Sequence, residues 1–418
     1  MIGAAIPPSI THRCSRRALL CAAALTPLAL LARKAQSEPL AQQPPVLVCL
    51  FLRGAADGLS LVVPHAHGEY YAARRGIAIA PPGRSAGALD LDGEFGLHPR
   101  LEPLLEPFRA RELSLIHAVG SPHPTRSHFE AQDYMELGAL PPNTPLEGWL
   151  ARYLALRPAR PGALVRSLAF ASRAPLALRG DRDTVVTSSL RHFRLAAPKV
   201  TRAALEQGFA QLYAEAPEGA ANHAARHALE ATRKLAELTR RYRPARGASY
   251  PRELWSLAEV ANLIKADAGL EAAWIDVGGW DTHRGQGGAQ QGDLASRLQS
   301  LGRALAAFRT DLGPLLDRVL VLVMSEFGRT LRENGTGGTD HGHGGVMMVM
   351  GGAVRGGRVL GRFPRLSPEA LHEGRDLAVT SDFRSVLGEI AQHALGAPAA
   401  LQLFPDFTPP AKALGLFG

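Results

Sequence analysis

The chain has 418 residues, 46% of them hydrophobic and 20% charged. That composition excludes a collagen-like, heptad-repeat or disordered chain and leaves room for one large or two medium domains. The formal charge is +9, but residues 1–37 hold five Lys/Arg and no Asp/Glu, so the remainder carries only about +4. The remainder has no Lys/Arg-rich stripe with interleaved aromatics, which argues against nucleic acid as a partner.

The first element, residues 1–37, reads as an export signal. Arg13, Arg16 and Arg17 precede the apolar stretch Ala18–Leu31, a run of signal-peptide length that is too short to span a bilayer and is interrupted by Pro27. The "SRR" pair beside this run resembles a twin-arginine signal and predicts a periplasmic or secreted protein with no stable membrane span once the signal is removed. Cys14 and Cys21 lie in the signal, so the mature chain keeps Cys49 alone and has no intrachain disulfide.

From residue 44 to 418 the chain reads as a single α/β domain. Continuous apolar runs at 45–54, 112–120, 272–279, 318–328 and 345–352 have the pattern of strands buried on both faces of a mostly parallel sheet. Amphipathic stretches alternate with them. One opens at Ser127, one spans 292–313, and a helical insert covers about 203–268. Together they predict a three-layer sandwich, a mostly parallel central sheet with helices on both faces. The proline-rich loops 80–90 and 141–148 are surface excursions.

In such sheets ligands bind at the carboxyl ends of the strands. There the sequence delivers Arg53 and Asp57, then His123, Arg126, Ser127 and His128, then Asp281 and His283, then Glu326 and Arg329. The glycine-rich loop "TDHGHGG" follows with Asp340, His341 and His343. Asp281 and His283, two apart in an extended segment, share a face and reach one ion. Glu326 ends a very apolar strand, where an unpaired carboxylate is costly. Two histidines among glycines have few packing neighbours and point to metal ligation, with Asp340 as ligand or as the residue that orients a histidine. The expected metal set is therefore Asp57, Asp281, His283, Glu326, Asp340, His341 and His343. The expected ion is a divalent metal, zinc or manganese first, as one or two ions. Ser127, at a helix start, is the expected nucleophile, with Arg126 and Arg329 steadying an anionic group. A blue-copper centre is excluded because Cys49 has no histidine near it in sequence.

Five stretches carry a resemblance: "FLRGAADGLSLVVPH", "HAVGSPHPTRSHFEAQDYME", "VGGWDTHRGQG", the run from "VMSEFGRTLRENG" through "HGHGGVMMVMGG", and "RDLAVTSDFRSVLGEI". They make the chain similar to the DUF1501 family of exported bacterial proteins, itself similar to the alkaline phosphatase and sulfatase superfamily. The resemblance implies an alkaline-phosphatase-like fold and hydrolysis of phosphate or sulfate esters by a metal-activated serine. It also implies Asp57 as the early metal-binding acid, Ser127 as nucleophile, and Asp281, Glu326 and His341 or His343 as ligands. The expected partner is a small-molecule ester, with another exported protein as a second kind of partner. Two positions depart from the superfamily pattern: residue 285 is Gly where a histidine is expected, and Phe327 stands where the histidine of an acid–histidine pair belongs. Pro122 occupies the place of a sulfatase formylglycine precursor. The altered ligands leave a second class open, an extracytoplasmic binding or assembly protein that keeps the fold without the chemistry.

Overall fold

The computed structural model describes residues 45–193, 199–215, 219–396 and 402–418. The expected export signal, 1–37, lies outside the described residues. The described residues form one compact unit.

Among the described residues nine strands make the central sheet: β1 (Val46–Leu52), β2 (Leu113–Gly120), β3 (Ser167–Phe170), β4 (Val185–Thr187), β5 (Ala272–Val277), β6 (Val319–Met324), β7 (Gly345–Met350), β8 (Arg358–Leu360) and β9 (Ser381–Asp382). Their order is β8-β2-β7-β6-β1-β5-β3-β4, with β9 paired to β2. Every pairing is parallel except those of β7, which runs antiparallel to both β2 and β6. The five apolar runs read from the sequence are β1, β2, β5, β6 and β7.

Strand β1 explains the layering. Its seven residues are all buried, and successive side chains alternate between faces. Val48, Leu50 and Leu52 enter one apolar core and Leu47, Cys49 and Phe51 the other. Strand β6 divides the same way, with Val319, Val321 and Val323 on one side and Leu320, Leu322 and Met324 on the other. Two helices cover the first face: α5 (Trp255–Lys265), through Leu257, Val260 and Leu263, and α6 (Asp293–Leu312), through Leu298, Leu301 and Phe308. Three helices cover the second: α1 (His128–Leu137) through Met135, α2 (Trp149–Ala155) through Trp149 and Tyr153, and α7 (Phe383–Leu395) through Val386 and Ile390. The helices α3 (Lys199–Glu215) and α4 (Ala220–Arg241) form the excursion between β4 and β5. Helix α5, inside the stretch expected as an insert, is a layer helix.

This topology builds one functional rim. The carboxyl ends of β1, β2, β5 and β6 lie together, and antiparallel β7 brings its amino end, with the preceding loop 335–344, to the same edge. Gly54 closes that edge. Its φ is +117°, and a Cβ there would lie 2.5 Å from the Asp281 amide nitrogen, so only glycine lets the chain after β1 pass this close to the chain after β5.

Candidate metal centre

Three of the rim segments each contribute one imidazole. His128 begins α1 after β2, His283 follows β5, and His341 lies in the loop before β7. Each ring is held through Nδ1 by an oxygen that can only accept. His128 donates to Glu326 Oε1 at 2.8 Å, His283 to Asp340 Oδ1 at 2.9 Å and His341 to the Arg126 carbonyl at 2.9 Å. With Nδ1 so engaged, a ring in its neutral form presents a bare lone pair at Nε2.

The three Nε2 atoms converge on one carboxylate oxygen. Asp281 Oδ1 lies 3.1 Å from His283 Nε2, 3.3 Å from His341 Nε2 and 3.6 Å from His128 Nε2. The Nε2 atoms of His283 and His341 are 3.0 Å apart. His128, Asp281 and His341 offer ligand atoms all within 4.8 Å of one another. Lone pairs facing each other and a carboxylate repel unless a cation lies among them. A zinc ion bound at 2.0–2.2 Å separates its tetrahedral ligand atoms by about 3.3–3.6 Å, close to the spacings seen here. His128, Asp281 and His341 therefore fit a metal ion, and His283, outside that group but with Nε2 3.1 Å from Asp281 Oδ1, is a candidate fourth ligand. His128 Nε2 is buried and has no hydrogen-bond partner among the described residues, so this nitrogen is aimed at the centre with nothing to bond.

Supporting groups fix the ligands from behind. Glu326 is 0% exposed and also accepts from the Gly54 amide at 2.8 Å and from Gln132 Nε2 at 2.9 Å. Burial alone would raise its carboxyl, but the bonds from His128, Gln132 and the backbone outweigh that and hold it below the usual range. Gln132 is itself held by Arg53, which pairs with Glu136 and Asp276. Asp340 also accepts from Asn334 Nδ2 at 3.0 Å. Phe327 stacks on His128 at 5.1 Å and leans on His341 at 5.2 Å, so its ring walls the site.

The electrostatics differ from ring to ring. The hydrogen bond to Glu326 outweighs burial and raises His128, with the Glu326 and Asp281 charges adding to it. Burial, then the neighbouring His128, lowers His341. For Asp281, burial pushes upward, but the bond and charge of Arg329 hold the carboxyl low.

Several expected site residues stand elsewhere. Asp57 is not at the centre: its oxygens take Arg74 Nη1 at 2.6 Å and Nη2 at 2.9 Å in a fully buried ion pair, and Gln286 Nε2 adds a bond at 2.7 Å. A carboxylate so engaged has no lone pair directed at the rim. His343 is also outside the cluster. Its buried ring stacks on His372 at 4.1 Å, and burial pushes it down to about 4, leaving it neutral. Glu326 and Asp340 meet the ligand set as residues that orient His128 and His283. Arg329, expected to steady an anion, is 1% exposed and donates to the carbonyls of Ala55, Gly54, Trp280 and Thr339 as well as to Asp281. Its guanidinium ties the rim segments together and positions Asp281. Arg126 is held by Asp376 and Glu373 through Nε and Nη2. Ser127 is the N-cap residue of α1, yet its side chain makes no capping bond, and it sits half-buried between Arg126, whose carbonyl holds His341, and His128.

The candidate ligand that sequence reading left out of the metal set is His128. It was in view at the end of β2, but nothing local marks a histidine beside an N-cap serine. Only the buried Glu326, 198 residues away, gives its ring a direction.

The comparisons with solved structures return distant matches. They include the C-terminal periplasmic domain of EptC from Escherichia coli in complex with zinc, at 8% identity, TM-score 0.34, and 75% of each chain covered. The PsFucS1 sulfatase from Pseudoalteromonas matches at 11% identity and TM-score 0.34, covering 90% of this chain and 72% of that one. TAB5 alkaline phosphatase matches at 12% identity and TM-score 0.29, covering 74% and 91%. At these scores the likeness carries no argument about chemistry, and the reading of the site rests on its own geometry. No curated protein matches the chain. A family model does match, over residues 45–397, and by that match the chain belongs to the family described as protein of unknown function DUF1501.

Proposed function

We propose that this protein is an exported, metal-dependent hydrolase of phosphate or sulfate esters, with a mononuclear centre formed by His128, Asp281, His283 and His341. The observation that carries the reading is the convergence of three Nδ1-anchored imidazoles on one carboxylate oxygen, with His128 Nε2 buried and unpartnered. Three nitrogens and one oxygen favour zinc over manganese. One ion rather than two follows from Asp57, since the guanidinium of Arg74 already neutralises the acid that a second ion would need.

A bound divalent ion supplies Lewis-acid polarisation of an ester oxygen and lowers the pKa of a hydroxyl beside it. The chain supplies the rest. Ser127 offers a hydroxyl free of capping duty beside His128 in the chain. Its oxygen would form a bond to phosphorus or sulfur as the bond to the ester oxygen breaks, and the serine proton would pass through water to the departing alcohol. A second water would hydrolyse the seryl ester to release phosphate or sulfate. Arg126 keeps Nη1 uncommitted among the described residues for the anionic group. Phe327 keeps water from one side of the two histidines.

The test is turnover of 4-nitrophenyl phosphate and 4-nitrophenyl sulfate by the zinc-loaded chain. Turnover that falls at least about 10³-fold in Ser127→Ala, with metal content unchanged, is the expected result. Full turnover in that variant removes Ser127 from the mechanism. The engagement of Arg329 and most of Arg126 favours a second reading, an extracytoplasmic binding or assembly protein. Metal bound by the wild-type chain with no turnover of either ester selects it.

A further inference from the structure

Away from the metal centre, the N-terminal end of α7 opens onto a cavity of about 650 Å³ between β8, β9 and the chain segment 407–414. That volume lies within the usual range of small-ligand sites. Ser381 and Ser385 line it, and both residues are more than nine-tenths buried, at 9% and 7% exposure. Their hydroxyls make no hydrogen bond among the described residues. Both hydroxyls open onto the cavity, where a ligand oxygen can accept from them.

The charge of the lining is one-sided. Arg362 and Lys412 line the cavity and form no ion pair among the described residues. The single carboxylate in the lining, Asp382, is bonded to Arg384 through its side chain and caps the Arg384 amide. The positive end of the α7 dipole adds to this field. An oxyanion is the ligand that two free cations, two free hydroxyls and a helix N-terminus jointly satisfy.

A second lobe of about 280 Å³ adjoins the first and shares Ser385, Phe407 and Pro410 with it. Phe404, Pro409 and Ala411 make this lobe largely apolar, and the polar groups in its wall besides the shared Ser385 are Gln392 and Glu389, whose carboxylate is held by the Leu414, Gly415 and Leu416 amides. A polar, cationic lobe continuous with an apolar one matches a molecule that has both parts.

We infer that this two-lobed cavity is a second ligand site, separate from the metal centre, for an amphipathic oxyanion: a phosphate-, phosphonate- or carboxylate-type head on an apolar tail. The inference does not depend on hydrolase activity. The head lies against Ser381, Ser385, Arg362 and Lys412, and the tail fills the lobe under Phe407.

The experiment is calorimetric titration of the full chain with octylphosphonate, whose C–P bond an ester hydrolase leaves intact, beside inorganic phosphate and octanol as head-only and tail-only probes. Octylphosphonate is expected to bind one per chain and more tightly than either part. The double variant Arg362→Ala/Lys412→Ala, at two exposed positions, is expected to weaken it by about tenfold or more with an unchanged melting temperature. His341→Ala is expected to leave the affinity as it is. No binding to the wild-type chain, or equal binding to the double variant, overturns the inference. Binding lost in His341→Ala but kept in the double variant places the probe at the metal centre and also overturns it.

Discussion

A buried imidazole nitrogen with no hydrogen-bond partner costs about 1–3 kcal/mol, and His128 Nε2 is in that state. A cation at the centre removes the cost, which ties the residue to metal affinity rather than to folding. Because Glu326 holds the other nitrogen of that ring, Glu326→Gln keeps the shape but replaces the carboxylate. Zinc affinity is expected to fall about 10–100-fold, read by competition with a chelating dye, and an unchanged affinity would show that the ring needs no such anchor. Asp57 belongs to a different network, and Asp57→Asn leaves Arg74 as an uncompensated buried charge. Denaturant unfolding is expected to show a loss of about 3–5 kcal/mol, with zinc content per folded chain unchanged. The Asp57 carboxyl is held low in the folded protein because the charge and bonds of Arg74 outweigh burial. Its contribution is therefore fully present above the unfolded value near pH 3.9 and is lost as pH falls through the lower folded value. The acid limb of the stability–pH curve below about pH 4 is expected to flatten in Asp57→Asn.

At the scale of elements, the rim depends on how closely neighbouring strand ends approach. Gly54→Ala would set a Cβ 2.5 Å from the Asp281 amide nitrogen at a φ of +117°, so the chain after β1 and the chain after β5 must separate. That variant is expected to lose zinc even where circular dichroism shows the fold retained, and normal zinc binding would contradict the geometric role given to this position. The long strands were legible because fully buried parallel strands are unbroken apolar runs. Strands β3, β4 and β8 have three or four residues, too few for any periodicity to stand out. Asp281, His283, Asp340 and His341 were legible for a related reason: polar groups among glycines have no packing role to hide behind. Asp57 and His343 carried the same local signal, and their partners decide otherwise. Arg74 sits 17 residues from Asp57, and nothing in its stretch, "EYYAARRG", announces a buried guanidinium. His372, which covers His343, lies across a loop whose path only the fold supplies. Sequence finds groups that need a partner, and tertiary structure chooses between an ion and a guanidinium.

Over the whole molecule, the proposed metal ligands come from three connections that enter the rim after β2, after β5 and before β7. The folded chain presents them together and the unfolded chain does not, so binding stabilises the fold by mass action. At a free zinc concentration of 100 Kd the gain is about 2.7 kcal/mol. Thermal unfolding is expected to rise by several degrees with zinc and fall back with a chelator. No helix among the described residues is long and apolar enough to cross a membrane. The proposed cavity at α7 lies on the outer β8–β2 side of the sheet, while the metal ligands follow β2 and β5 and precede β7, so the two sites are separable by mutation.

The most direct measurement is the metal content of the purified full chain by elemental analysis, in wild type and in His341→Ala. The account predicts about one zinc per wild-type chain and a near-complete loss in the variant. A wild-type chain that stays metal-free after zinc loading, or a His341→Ala chain that holds as much zinc as wild type, would contradict it.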